Sequence, residues 1–198
     1  MLIGLFGKAH SGKDTAAMYM DTTHGFHRLA FADKLKKVAA DIFMLRDEQL
    51  HGELKETVDE RWNLTPRRIL QFLGTEIGQQ LYKNIWVEWT KMYTAKIRHD
   101  FGSCEPIVIT DVRFIHEAEH VMDSGGYLWK ILRNGVSEEI GGKRGHSSEN
   151  SLDGLQDEAF HAIISNEDGN LVKMYRQIDH ALESIKEVPM ERENELGR

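Results

Sequence analysis

An α/β fold around a parallel sheet is predicted by three features of this 198-residue sequence. The first is the N-terminal succession of an apolar run, Leu2-Ile3-Gly4-Leu5-Phe6, a glycine-bearing loop and a helix-favouring stretch from Lys13. The second is Ile107-Val108-Ile109-Thr110-Asp111, a near-continuous β-branched run of the kind that fills the middle of parallel sheets. The third is the alternation of strand-like and helix-like segments along the chain.

Taken in order, Leu2 to Phe6 reads as a buried strand and Lys13-Asp-Thr-Ala-Ala-Met-Tyr-Met as the helix after it. Phe26 to Phe31 is a second strand. Asp33 is placed to cap a helix with Leu35, Val38, Ala39 and Ile42 on one face. Thr65-Pro66 starts another, a hydroxyl cap followed by proline at the first helical position. Its apolar face is Leu70, Leu73, Ile77 and Leu81, and its polar face is Arg68, Gln71, Thr75 and Gln79. Trp86 to Ile97 and Ile115 to Met122 are helical, and Gly125-Gly126 turns the chain into a strand over Tyr127 to Leu132. Arg133 to Ser151 is glycine-rich, polar and basic. A short strand (Ala162-Ile163-Ile164), an amphipathic helix through Leu171 and Ile185, and a charged tail from Pro189 complete the chain. One domain accounts for all 198 residues.

A net charge of −7 argues against a protein that coats polymeric nucleic acid, which needs a basic face. The single cysteine, Cys104, lies in a polar loop away from any sequence-adjacent histidine and reads as incidental. No run is apolar enough for a membrane span or a signal sequence, so a soluble, cytoplasmic protein is expected. The histidines lack zinc-ligand spacing.

The informative stretch is Gly4-Leu-Phe-Gly-Lys-Ala-His-Ser-Gly-Lys-Asp-Thr15. Gly7, four residues, Gly12 and Lys13 match a phosphate-binding loop between a strand and a helix. Glycines let backbone N–H groups face an anion, and the helix N-terminus adds partial positive charge. Lys13 is placed for the β- and γ-phosphates of ATP, and Ser11 for one further donor. The departure is Asp14, where a hydroxyl normally stands. A carboxylate beside a triphosphate is tolerable with magnesium between them, so Asp14 reads as a metal ligand and Thr15 as the phosphate-facing hydroxyl. The competing reading of Asp14 is a simple helix cap.

Asp111 ends a hydrophobic strand, the place of a second magnesium-binding acid, and Arg113 shares its side if the strand continues. Arg68 offers a fork for a phosphate, against the plainer reading of a solvated helix face. Arg133, Lys143 and Arg144 supply positive charge in a segment that reads as either a lid or a surface loop. Trp86 is either a wall of a base pocket or core packing.

The stretches "GKAHSGKDT", "FADKLK", "TPRRILQFLGTEIG", "IVITDVRFIHEAE" and "GHSSE" occur in the order seen in bacteriophage deoxynucleoside monophosphate kinases, and the chain resembles that family over roughly residues 1 to 185. The resemblance implies a P-loop kinase fold: three layers with a parallel core sheet, a helical acceptor-binding region over about 33–100 and a lid over about 133–151. It implies transfer from ATP to a deoxynucleoside monophosphate (dNMP) with magnesium, and it favours a homodimer. It places Lys13, Asp14 and Thr15 at the triphosphate and metal, Arg68 at the acceptor phosphate, and Arg133 to Arg144 in the lid. Gln71, Trp86 and Arg113 complete the expected acceptor site. The alternatives are a kinase for another small molecule, of phosphomevalonate or dephospho-coenzyme A type, and a nucleotide-hydrolysing switch. A guanine-specific switch is disfavoured because the chain has no N-K-x-D sequence.

Overall fold

The computed structural model describes residues 1–134, 155–167 and 170–187. Strand β1 (Leu2–Phe6) leads through the phosphate loop into α1 (Lys13–His24), which Gly25 closes in a left-handed conformation at φ 70°. Strand β2 is confined to His27–Leu29, shorter than the apolar run around it. The chain leaves the sheet there because the N–H groups of Phe31 and Ala32 donate to the Asp111 carboxylate, at 2.7 and 3.1 Å, rather than to a strand.

That turn starts α2 (Ala32–Phe43) one residue ahead of Asp33. Asp33 therefore lies inside the first turn, where its carboxylate accepts the Ala30 N–H at 2.8 Å. The inward face of α2 carries Leu35, Ala39, Ala40 and Phe43, while Ile42 is exposed. Helix α3 (Asp47–Leu50) and a 3-10 turn (Glu53–Glu56) follow. Helix α3 is braced by the buried Asp59, which accepts from Gln49 Nε2 at 2.8 Å and Arg61 Nε at 2.9 Å. The Arg61 guanidinium, with Gln49, holds the Asp59 carboxyl well below the usual range.

Thr65 and Pro66 start a helix as their chemistry requires. The Thr65 hydroxyl accepts the Arg68 N–H at 3.2 Å and Pro66 is the first residue of α4 (Pro66–Gln71). The continuous helix predicted through Leu81 is interrupted by a π-helical segment, Phe72–Gly78, before a last turn, α5 (Gln79–Leu81). Each π turn takes in an extra residue, so positions four apart drift around the axis. Leu70 stays buried and Leu73 partly so, but Ile77 is 39% and Leu81 78% exposed.

The same segment is seated on Trp86, whose indole N–H donates to the Gly74 carbonyl at 2.9 Å. A Cβ on Gly78 would lie 2.8 Å from the Leu73 carbonyl oxygen and 2.9 Å from the Trp86 ring. Gly78→Ala is therefore expected to destabilise the fold by about 1–3 kcal/mol despite alanine's better helix propensity. Urea unfolding checks this, and an unchanged midpoint would show that the close approach is not needed.

Helix α6 (Ile85–Phe101), β3 (Ile107–Ile109), α7 (Ile115–Asp123), β4 (Tyr127–Asn134), β5 (Ala162–Glu167) and α8 (Leu171–Glu187) complete the described chain. The five strands form one sheet in the order β2-β3-β1-β4-β5 with every pairing parallel. Alternate residues along each strand face opposite layers. Leu2, Phe6, Ile107, Ile109 and Leu128 pack with Val87 and Ile97 of α6 and Ala118 and Val121 of α7. Ile3, Leu5, Val108, Trp129 and Ile131 pack with Ala16, Ala17 and Met20 of α1 and Met174, Ile178 and Leu182 of α8. A third, smaller cluster joins Ala39, Leu45, Leu50, Ile69 and Leu70. Strand β4 runs to Asn134, so Arg133 belongs to the sheet rather than to the insert expected from residue 133. No helix among the described residues is long and apolar enough to cross a membrane.

Candidate active site

The phosphate loop leaves the carboxyl end of β1, the central strand, where open parallel sheets bind ligands. Gly7 is required by space: a Cβ there would fall 2.5 Å from the Ile131 carbonyl oxygen and 2.7 Å from the Ser11 hydroxyl. Gly12 is required by conformation and space together. Its φ is 105°, and a Cβ would fall 2.4 Å from the Asn166 side-chain nitrogen. His10 also has positive φ, at 60°. The Ser11 hydroxyl is buried without a hydrogen-bond partner among the described residues. Lys13 folds back over the loop, its Nζ donating to the carbonyls of Gly7 at 2.6 Å and Lys8 at 2.7 Å. Asp14 is exposed in the first turn of α1, and Thr15 beside it is partly buried.

The Asp-Val-Arg-Phe segment follows β3, the neighbour of β1, and the Val112 N–H donates to the Leu5 carbonyl at 3.2 Å. The strand ends at Ile109, so the alternation that would put Asp111 and Arg113 on one side does not extend that far. Two carboxylates hold the segment instead. Asp111 binds the first N–H groups of α2, and Glu117 accepts from Arg113 N at 2.7 Å and Phe114 N at 3.0 Å. Burial raises the Asp111 carboxyl against the pull of Arg113. Burial, with Asp111 nearby, pushes Glu117 up to about 8.

A group of cations faces this segment. Lys55, on the 3-10 turn, is partly buried, and its ammonium is pushed down to about 8 by burial and then by Lys36, Arg67 and Arg113. The nearest carboxylate in sequence, Glu56, is engaged by Arg67. Lys36 approaches His51 Nδ1 at 3.4 Å, and burial with Lys36 lowers the His51 imidazole. Like charges gathered at a half-buried place raise one another's energy, and a dianion relieves them all.

The predicted residues are therefore divided. Gly7, Ser11, Gly12, Lys13, Asp14 and Thr15 share the loop and the start of α1, and Arg113 joins the cations around Lys55. Arg68 is turned elsewhere: it pairs with Glu76 and lies 5.8 Å over the Phe72 ring. Its neighbour Arg67, paired with Glu56, is near enough for its charge to lower the Lys55 ammonium. Gln71 ends α4, and Trp86 supports the π segment and packs against the sheet core. Arg133 Nη1 donates to the His10 carbonyl at 3.1 Å, anchoring the phosphate loop from β4. Lys143 and Arg144, with most of the expected lid, lie outside the described residues. Among the described residues no three metal-binding side chains gather. Sequence reading passed over Lys55, Arg67, Glu117 and Asn166. The Arg67-Arg68 doublet was the available signal, since adjacent helical residues point about 100° apart and only one can face a given site.

Known proteins resemble this chain in sequence and in fold. The model of the family "Deoxynucleotide monophosphate kinase" matches residues 44–178. A protein of Acanthamoeba polyphaga mimivirus described as a deoxynucleotide monophosphate kinase is 41% identical over 151 residues, 70% of this chain and 77% of the relative. The deoxynucleoside-5'-monophosphate kinase of Escherichia phage T5 is 32% identical over 148 residues, 71% of this chain and 56% of the relative. The deoxynucleotide monophosphate kinase of Escherichia phage RB69 is 28% identical over 131 residues. The matched region spans about half the length of these two phage relatives. Among solved structures, shikimate kinase from Aquifex aeolicus superposes with a TM-score of 0.51 at 16% identity, covering 94% of this chain and 98% of that one, a likeness of fold. With the family model covering more than half its length, the chain belongs to the deoxynucleotide monophosphate kinase family.

Proposed function

We propose that the chain moves the γ-phosphate of ATP onto the phosphate of a deoxynucleoside monophosphate, giving ADP and the diphosphate. The observation that carries this reading is the pairing of a phosphate loop on β1 with a cation cluster around the segment after the adjacent β3. Lys13 leaves its loop carbonyls for the β- and γ-phosphates, and the Ser11 hydroxyl and loop N–H groups complete the donor site. Arg113, Lys36, Lys55 and Arg67 receive the acceptor phosphate. Arg67 and Arg68 reach an acceptor only by leaving Glu56 and Glu76.

The acceptor is already largely ionised at neutral pH, its second pKa being about 6, so no general base is needed. Catalysis then consists of alignment and neutralisation of spread negative charge. Whereas both Asp111 oxygens already accept the N–H groups of Phe31 and Ala32, the oxygen donors Asp14 and Thr15 would suit magnesium, which keeps few protein ligands and takes others from phosphates. Bound there, it supplies neutralisation of charge on the β- and γ-phosphates. Lys143 and Arg144 are assigned to the transferred group. The partners are small nucleotides rather than polymeric nucleic acid, the compartment is the cytoplasm, and sedimentation tests the homodimer.

The deciding assay is ADP release from ATP and magnesium with each dNMP, its ribose counterpart and mevalonate 5-phosphate added singly. Release that requires a deoxynucleotide supports the proposal, and release without any acceptor overturns it. A pH prediction follows from Lys55. The charged ammonium binds the acceptor, so the dNMP KM is lowest below about 8 and rises as pH climbs through that value. Initial rates across about pH 6.5 to 9.5 check this, and Lys55→Met is expected to flatten the profile. A rise that persists in the variant would assign it to another group.

A further inference from the structure

The described residues that fix the phosphate loop include two with no place in a phosphate-loop motif. Arg133 on β4 and Asn166 on β5 are register partners in the parallel pairing of those strands. From this one rung they donate to successive loop carbonyls. Arg133 Nη1 reaches His10 O at 3.1 Å, and Asn166 Nδ2 reaches Ser11 O at 2.9 Å. Asn166 and Ser11 are both buried. The Asn166 amide also occupies the space that a side chain at residue 12 would need.

A peptide unit held by its carbonyl has its N–H directed the opposite way. Fixing the carbonyls of His10 and Ser11 toward the rung thus fixes the N–H groups of Ser11 and Gly12, the residues before the catalytic lysine. Ser11 N–H makes a long bond of 3.2 Å to Lys8 O. His10 has positive φ, a conformation that a non-glycine residue keeps only where its surroundings over-determine it. Asn166 is buried and uncharged, and its amide nitrogen is engaged by the Ser11 carbonyl.

We infer that Asn166, with its rung partner Arg133, is a positioning residue that pre-sets the phosphate loop for the triphosphate of the donor nucleotide. The inference rests on the reading of this loop as the ATP site. Without the Asn166 bond, binding a triphosphate must first order the loop, so donor affinity falls while acceptor affinity does not.

The test is calorimetric titration of the full chain with ATP and with inorganic tripolyphosphate, beside steady-state kinetics, for wild type, Lys13→Ala and Asn166→Ala. Asn166→Ala is expected to weaken both ligands about tenfold and raise the ATP KM likewise, with the dNMP KM within about twofold of wild type. Equal ATP and tripolyphosphate affinities in wild type and Asn166→Ala, with Lys13→Ala impaired, would overturn the inference and leave the ATP site standing. A wild-type chain that binds neither ligand would overturn the ATP site itself. A purely structural role would lower the melting temperature and leave both KM values alone, and that also refutes the inference. If Asn166→Ala fails to fold, Asn166→Ser replaces it, polar but too short to reach the Ser11 carbonyl, with the same expectations.

Discussion

Lys13→Ala is expected to lower kcat by about 10³-fold or more while leaving the fold in place. Lys13 is only partly buried, and its ammonium meets loop carbonyls rather than core side chains. Truncation therefore removes a charge and leaves no cavity. The loss is expected to exceed that of an ordinary surface cation because the proposed place of the lysine is where negative charge develops between donor and acceptor. Single-turnover transfer, with circular dichroism as the fold control, measures it. A variant that keeps more than about a tenth of wild-type kcat would remove Lys13 from the reaction.

Arg113→Ala is the second large effect, expected in the acceptor. Its guanidinium is exposed, while its own N–H is fixed by the buried Glu117 carboxylate. A guanidinium fork on a fixed backbone suits a phosphate that must be held in line with the donor. We expect kcat/KM for the dNMP to fall about 10- to 100-fold, chiefly through KM, with the ATP KM unchanged. Equal losses toward ATP and dNMP would move Arg113 to the transferred group. No loss would leave the acceptor phosphate to Lys36, Lys55 and Arg67.

Much of this molecule was legible before any coordinates. The β1–loop–α1 unit, the β-branched β3 and the Thr65-Pro66 helix start are all local signals, and the fold uses them as read. Where reading along the chain failed, the deciding contact came from far away. Strand β2 stops early because Asp111, eighty residues on, takes the N–H of Phe31. The helix after Thr65 loses its regular face because the indole of Trp86 takes the Gly74 carbonyl. The site shows the same division. Lys13 announces itself by spacing. Lys55 sits in an ordinary Glu-Leu-Lys-Glu stretch and gains meaning only when Lys36, Arg67 and Arg113 are brought around it. Asn166 is one polar residue at a strand end until the register sets it beside Arg133.

The third apolar cluster, Ala39, Leu45, Leu50, Ile69 and Leu70, has a mechanical consequence. It shares no residue with the two clusters that sandwich the sheet. Helices α2 to α4 thus carry an interior of their own, and Trp86, packed on the sheet core while bonded to Gly74, is part of the seam between the two bodies. A body with its own interior can tilt without opening either core. Any relative movement of the two bodies would then be a sliding at that seam, not a melting and repacking of either core.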